Sequence, residues 1–451
     1  MTDFIEPDWA WATYEPSSQT PWDVRAAAHL YRRAGFGATP AELDTAVKAG
    51  PMNAVQTLLS ETTEPQSYLT QMSSLADASL ATGNPERLSA WWAYRMLSTP
   101  AQLLEKMTLF WHGHFATSAE KVQDAELMFV QNQLLRKFAV GDFAGLLLEI
   151  SRDPAMLVYL DSASNRKAHP NENFAREIME LFCLGEGNYT EQDIRELARC
   201  FTGWEVKRRK FRFNRYQHDS GTKSVLGDSG TFGGEEGVGI VVGQDSAALF
   251  IAAKLVKYFV MDEPQPSPEL LAPLANFLRD QDMQIGPTVQ KILSSNLFYS
   301  KHSVGRKVRS PVELAIGFLR TLDGSTDSYK LAEALQRLGQ GLLYPPSVKG
   351  WDGGRTWINS STLLARSNLI RSLLENDKTR FGKQTLVEHL RKVGANSTDE
   401  IIDLLETTLF AVRIPAAAKD RIRRLTRDAN ETNKLTETVH ALCTLPEFQL
   451  C

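Results

Sequence analysis

One short signal recurs along the chain and restricts its fold more than any other. A Ser or Thr is followed by Pro, one apolar residue, and then Glu or Gln. It occurs at Thr39-Pro40-Ala41-Glu42, Thr99-Pro100-Ala101-Gln102 and Ser310-Pro311-Val312-Glu313. At a helix start the hydroxyl can accept from a free backbone N–H, and Pro fits the first helical position, where no donor is needed. The Glu or Gln can reach back to the cap residue. Thr190 and Asp193 form a shorter-armed version. A chain with these starts is expected to be mainly α. Apolar spacing agrees: Leu103, Leu104, Met107 and Trp111 share one helical face, as do Ile194, Leu197, Ala198 and Phe201. The same periodicity predicts helices at 85–98, 122–138, 143–151 and 246–259, and a succession of shorter ones from 268 to 443.

The exception is 204–243. From Trp204 to Tyr216 aromatic and basic residues suggest a small β-hairpin, and the run GDSGTFGGEEGVG after it reads as a flexible glycine-rich loop. The expected architecture is a large multi-helical body over 23–451, interrupted by this irregular excursion. Ahead of it lies an extended arm over 1–22, broken by Pro7, Pro16 and Pro21, with Trp9, Trp11 and Trp22 laid on the body. At 451 residues with 43% hydrophobic content, the chain can bury a substantial core.

A formal net charge of −4 argues against a general nucleic-acid binder, which carries a basic excess. Cys183, Cys200, Cys443 and Cys451 show neither metal-type spacing nor the density of a disulfide framework. The start MTDFIEPDWAWATYEP lacks the basic end and apolar centre of a signal peptide, and no apolar run reaches the roughly 18 residues of a spanning helix. A cytoplasmic location without membrane insertion is therefore expected.

Three constellations carry candidate chemistry. On a helix from about Asn171 to Gly185, Phe174, Ile178, Leu181 and Phe182 form a core stripe, and Asn173, Glu177 and Glu180 an adjacent polar one. Paired carboxylates on one face can bridge a hard metal ion or act as acid and base. The same stripe also reads as a solvated face, because Arg176 lies four residues from both Glu172 and Glu180. Second is Phe110-Trp111-His112-Gly113-His114-Phe115. His112 and His114 could share a metal ion only if the helix ended near Trp111, since two residues apart on a helix they point away from each other. Otherwise they close a helix end on backbone carbonyls. Third, His218, Asp219 and Lys223 follow the hairpin in a polar turn that could complete a site. Arg306, Lys307 and Arg309 ahead of the Ser310 helix start suggest an anion pocket or a solvated basic turn. Trp351, in Trp351-Asp352-Gly353-Gly354-Arg355-Thr356-Trp357, could stack on a ligand or pin its loop to the core. His29, Arg32 and Arg33 end an early helix. No nucleophile elbow, Walker loop or dinucleotide fingerprint is present.

With these residues the chain resembles the bacterial family called domain of unknown function 1800. The likeness rests on HLYRRAGFGATPAEL at 29–43, FWHGHF at 110–115, NENFAREIMELFCLGEGNYTEQDIRELARCFTGW at 171–204, HDSGTKSVLG at 218–227 and PPSVKGWDGGRTWINSSTLLAR at 345–366. The resemblance implies a helical fold and carries no settled activity. It also implies a possible partner encoded by a neighbouring sulfatase-like gene. Many members look exported, a feature this sequence does not share.

Two functions are expected. One is a metal-dependent hydrolase or oxidoreductase acting on an unknown, anionic substrate. In it Glu177, Glu180, His218 and Lys223 are catalytic, and His112, His114 and Asp219 hold a divalent metal ion. Asn173, Arg176, Arg306 and Trp351 contact the substrate. The other is a non-catalytic binding or scaffold protein in which these residues form a structural polar network.

Overall fold

Helices account for 60% of the chain, and the sheets among the described residues are two-stranded pairs, so the fold is mainly α. The computed structural model describes residues 4–60, 64–427 and 430–451. The capping signals form as complete boxes at Thr39–Glu42, Thr190–Asp193 and Ser310–Glu313. The Thr99 signal does not, and the next helix starts only at Gln102. Thr99 Oγ1 instead donates to Glu64 at 2.7 Å, and the Gln102 amide oxygen accepts from the Phe36 N–H at 3.0 Å. Both halves of that box have buried tertiary partners, which outcompete the local ones.

The helix Gln102–His114 is the centre of the molecule. Every residue in it except Gly113 is buried. Leu103, Met107 and Trp111 enter one apolar core with Phe115, Phe143 and Phe182. Leu109 enters a second, built around Trp92, Phe318, Ile370 and Leu405. A helix buried all round must satisfy each polar side chain internally. Here Glu105 meets Arg95 and Arg136, Lys106 meets Glu313, and Thr108 returns its hydroxyl to Leu104.

The N-terminal arm is not extended throughout. Its first three residues lie outside the described ones, and Pro7–Trp11 form a short helix capped by the Glu6 carboxylate. Trp11 is buried and donates to the Leu270 carbonyl at 2.7 Å, Trp22 is half-buried, and Trp9 is 44% exposed.

Two hairpins occupy the 204–243 excursion. Trp204–Lys207 pairs with Lys210–Phe213, and Lys223–Val225 with Asp228–Gly230. The glycine-rich run is a structured element rather than the flexible loop its composition suggests, because Gly234–Val242 is a helix. Its first glycine is there for contact. A Cβ on Gly234 would lie 2.1 Å from the Trp204 indole, so only glycine lets the helix start lie against that ring. No single helix among the described residues is long and apolar enough to cross a membrane.

Candidate functional site

The residues expected to form one metal-dependent site are distributed over separate local networks. Among the described residues no group of three or more His, Cys, Asp or Glu is placed to hold a metal ion. The helix continues through His114 instead of ending near Trp111, so the two imidazoles have different surroundings. His112 Nε2 accepts from the Leu343 N–H at 3.2 Å, and His114 Nε2 donates to the Phe182 carbonyl at 2.9 Å. Burial lowers each to about 3, with the Lys254 charge adding to the effect on His114, so both rings are neutral near pH 7.

Asp219 is bound by Arg199 at 2.7 Å and accepts from the Gly221 N–H at 2.8 Å. The Arg199 contact first, and then the Gly221 amide, hold its carboxyl at about 2 against burial. Lys223 is buried and donates to the carbonyls of Asp219 and Gly221, which pins the turn. His218 Nδ1 lies 2.8 Å from the Thr202 carbonyl. Glu180 accepts from the Tyr189 hydroxyl at 3.2 Å, Arg176 pairs with Glu191 at 2.7 Å, and Asn173 is exposed at its helix start. Glu177 is half-buried; burial and then Glu180 push its carboxyl up, while Arg176 opposes them. No hydrogen bond or ion pair among the described residues joins Glu177 or Glu180 to His218, Asp219 or Lys223.

The basic cluster before Ser310 is divided as well. Arg306 donates to the Lys301 carbonyl, Lys307 pairs with Asp262, and Arg309 is buried against the carbonyls of Leu450 and Leu409. The free amides of the Ser310 helix start are met by its own residues, since Glu313 N donates to Ser310 Oγ and Ser310 N to Glu313. His29, Arg32 and Arg33 are likewise buried on carbonyls.

What the fold does assemble is a cavity of about 180 Å³ beside His114. It joins three of the segments that stand out in the sequence. His114 and Gly113 come from the central helix, Leu181 from the helix after Asn173, and Trp351 from the 345–366 loop. The approach of that loop depends on glycine. Gly350 has φ +78°, and a Cβ there would sit 2.0 Å from the Gly113 carbonyl oxygen. The Trp351 ring then lies 5.6 Å from the His112 ring. Its indole N–H finds no acceptor among the described residues.

Leu181 reaches the cavity because its helix changes pitch. Asn173–Glu177 is α-helical and Ile178–Cys183 is a wider π-helix. Phe174, Ile178 and Phe182 are buried as expected, whereas Leu181 is only half-buried. π-Turns leave carbonyls out of the regular ladder and are frequent at functional sites. Here the Phe182 carbonyl is the one His114 holds.

The remaining wall adds Lys254, Lys257 and Tyr258, which no motif marks. Phe110 and Tyr258 stand with ring centroids 5.0 Å apart, and the Tyr258 hydroxyl donates to the Lys106 carbonyl at 2.9 Å. Lys254 and Lys257 project from the helix Asp245–Phe259, and Lys349 stands exposed on the rim with Asp352. The lysines differ in their partners. Lys106 pairs with Glu313 at 2.6 Å and Lys307 with Asp262. Burial pushes Glu313 up, but Lys106 and Lys307 outweigh it and hold it at about 2, so Glu313 is a carboxylate near pH 7. Lys257 Nζ donates only to the Asp352 carbonyl, at 3.2 Å. Lys254 has no hydrogen-bond or ion-pair partner among the described residues, and its amine lies 4.9 Å from the centre of the Phe250 ring. Burial, then Lys257 and Lys349, lower it to about 8. Among the described residues Lys223, Arg32 and Arg309 also lack a carboxylate partner but are held by carbonyls, whereas Lys254 has neither and faces a cavity.

Fold and cavity together define a mainly helical protein built on a buried central helix, with a lysine-lined cavity at its His-Gly-His end. The chain belongs to the family described as "Protein of unknown function (DUF1800)", whose family model matches residues 29–450. Comparison with curated proteins and with solved structures finds no match.

Proposed function

We propose that the chain binds an anionic organic molecule with a flat apolar part in the cavity between Lys254 and Trp351. This keeps the anionic small molecule expected from the sequence but moves its site away from the Glu177 and His218 clusters. The observation that carries the reading is the set of three lysines, Lys254, Lys257 and Lys349, lining a partly aromatic cavity with no carboxylate among the described residues bound to any of their amines. Buried cations ordinarily have counter-ions, and Lys307 in the same wall and Lys106 behind it have them. An anion about 4 Å from a lysine amine gains on the order of 4 kcal/mol of gross Coulomb energy at the effective dielectric typical near a protein surface. The space suits a ring, since an apolar cavity of about 150 Å³ holds benzene. Phe110, Tyr258 and Trp351 supply aromatic walls for it.

The test uses benzoate as probe and benzamide as its uncharged counterpart. Ligand that binds only the folded state stabilises it by about 2.7 kcal/mol at a hundredfold excess over Kd. Benzoate is expected to raise the melting temperature of the intact protein and benzamide to raise it far less. Lys254→Met should weaken benzoate at least tenfold, while Lys167→Met, at an exposed position, leaves it unchanged. Affinity should fall as pH rises through about 8, because a neutral Lys254 amine offers the anion no charge. Equal stabilisation of the wild type and Lys254→Met would defeat the reading.

A further inference from the structure

We propose that Lys254 is a nucleophilic amine that condenses with the carbonyl group of an anionic aldehyde or keto acid to form an imine. The inference rests on the cavity being an anion site. It adds which atom reacts and what class of molecule is recognised.

An amine can attack a carbonyl only as the free base, and an ion-paired lysine is held in the charged form. Both situations occur in and just behind the cavity wall. Lys106 and Lys307 are committed to Glu313 and Asp262. Lys254 is held by no carboxylate among the described residues, and the charges that act on it most, Lys257 and Lys349, are both positive, although Asp262, Glu313 and Asp352 also line the cavity. From its own helix the charged groups facing it are Lys257, from the rim loop Lys349 and Asp352, and from the wall Asp262 and Glu313 with their lysine partners. His114, on the central helix, is neutral, so it does not supply a compensating charge. Repulsion by Lys257 and Lys349, added to burial, favours loss of the Lys254 proton. A desolvated lysine near other cations is a general way to activate this nucleophile. Lys257 and Lys349 then have a second use, which is to hold the substrate's anionic group while its carbonyl meets Lys254.

The step balances without any further reagent. The Lys254 nitrogen lone pair forms a bond to the carbonyl carbon, and the C=O π pair moves to oxygen. A proton passes from nitrogen to that oxygen through solvent, giving the carbinolamine. The nitrogen lone pair then expels the hydroxyl group, which leaves with a proton as water, and a C=N bond remains.

The experiment is reductive trapping on the full-length protein. 4-Formylbenzoate is added in limiting amount with sodium cyanoborohydride at pH 7, and the modified lysines are mapped by peptide mass spectrometry. At that pH an amine titrating at about 8 has more than a hundred times the free-base fraction of an ordinary lysine near 10.4. Its lower basicity and the probe's own carboxylate, which favours the ammonium, take back part of that advantage. Lys254 is expected to carry at least tenfold more label than any other lysine, Lys257 and Lys349 included. Excess benzoate should suppress that labelling. Label spread over exposed lysines, with Lys254 no more modified than they are, overturns the proposal. If benzoate still raises the melting temperature in that case, the anion site stands and only the nucleophile falls; if it does not, both fall. The pattern is read on the wild-type protein, so no variant has to fold.

Discussion

Glu105 shows what a single buried charge does in this fold. Its side chain accepts from the Trp92 indole at 2.9 Å and is bound by Arg95 and Arg136. Burial pushes its carboxyl up, but Arg136 and Arg95 outweigh that and hold it at about 2. Removing Glu105 leaves Arg136 buried without a carboxylate, while Arg95 keeps Glu64, so Glu105→Gln should cost roughly 3 kcal/mol, measured by urea unfolding at pH 7. The pH dependence follows from the direction of the shift. The folded carboxyl lies below the unfolded value of about 4.3, so the stabilisation is fully present above that pH. It is lost as pH falls toward about 2. Unfolding curves of the wild type and Glu105→Gln should therefore converge on acidification, and a gap that stays constant down to pH 2 would argue against this account. In the sequence Glu105 is one more polar residue in an apolar helix. Its partners at 95 and 136 are joined to it only by tertiary packing, which no local pattern records.

At the level of elements, the decisive contact is the loop carrying Trp351 laid across the end of the central helix. Gly350→Ala places a methyl group 2.0 Å from the Gly113 carbonyl, at a φ of +78° that L residues rarely adopt. The loop should lift. Trypsin is expected to cut after Lys349 or Arg355 several-fold faster in the variant, and benzoate affinity should fall at least tenfold. Unchanged cleavage would mean the loop does not depend on that contact. This scale also shows why sequence patterns read some elements and miss others. The Thr39, Thr190 and Ser310 starts were legible because a capping box is closed by residues three apart. The same pattern at Thr99 fails because Glu64 and Phe36, both distant in sequence, take its two halves. The glycines at 233–239 resemble a flexible loop by composition. Gly234 instead lies against Trp204, a contact visible only once the chain is folded.

At the scale of the whole molecule, the striking segments of the sequence divide into two groups. Phe110, Gly113, His114, Leu181 and Trp351 come together around one cavity. Glu180, His218 and Asp219 instead belong to local networks of ion pairs and turns, where charged residues in sequence clusters usually belong, and Glu177 is half-buried beside Glu180. Lys254 was illegible for the opposite reason. It sits in an ordinary amphipathic helix, and what distinguishes it is the lack of any hydrogen-bonding or ionic partner among the described residues at a cavity wall. The central claim, that this amine waits for an anion, is tested most directly by titrating it. In protein with ¹³C-labelled lysine, NMR should show the Lys254 Cε signal titrating at about 8 in the free protein. Saturating benzoate should raise that midpoint by about a unit or more, since a nearby anion favours the ammonium. A Lys254 that titrates like a surface lysine, or whose midpoint does not move with benzoate, would contradict the account.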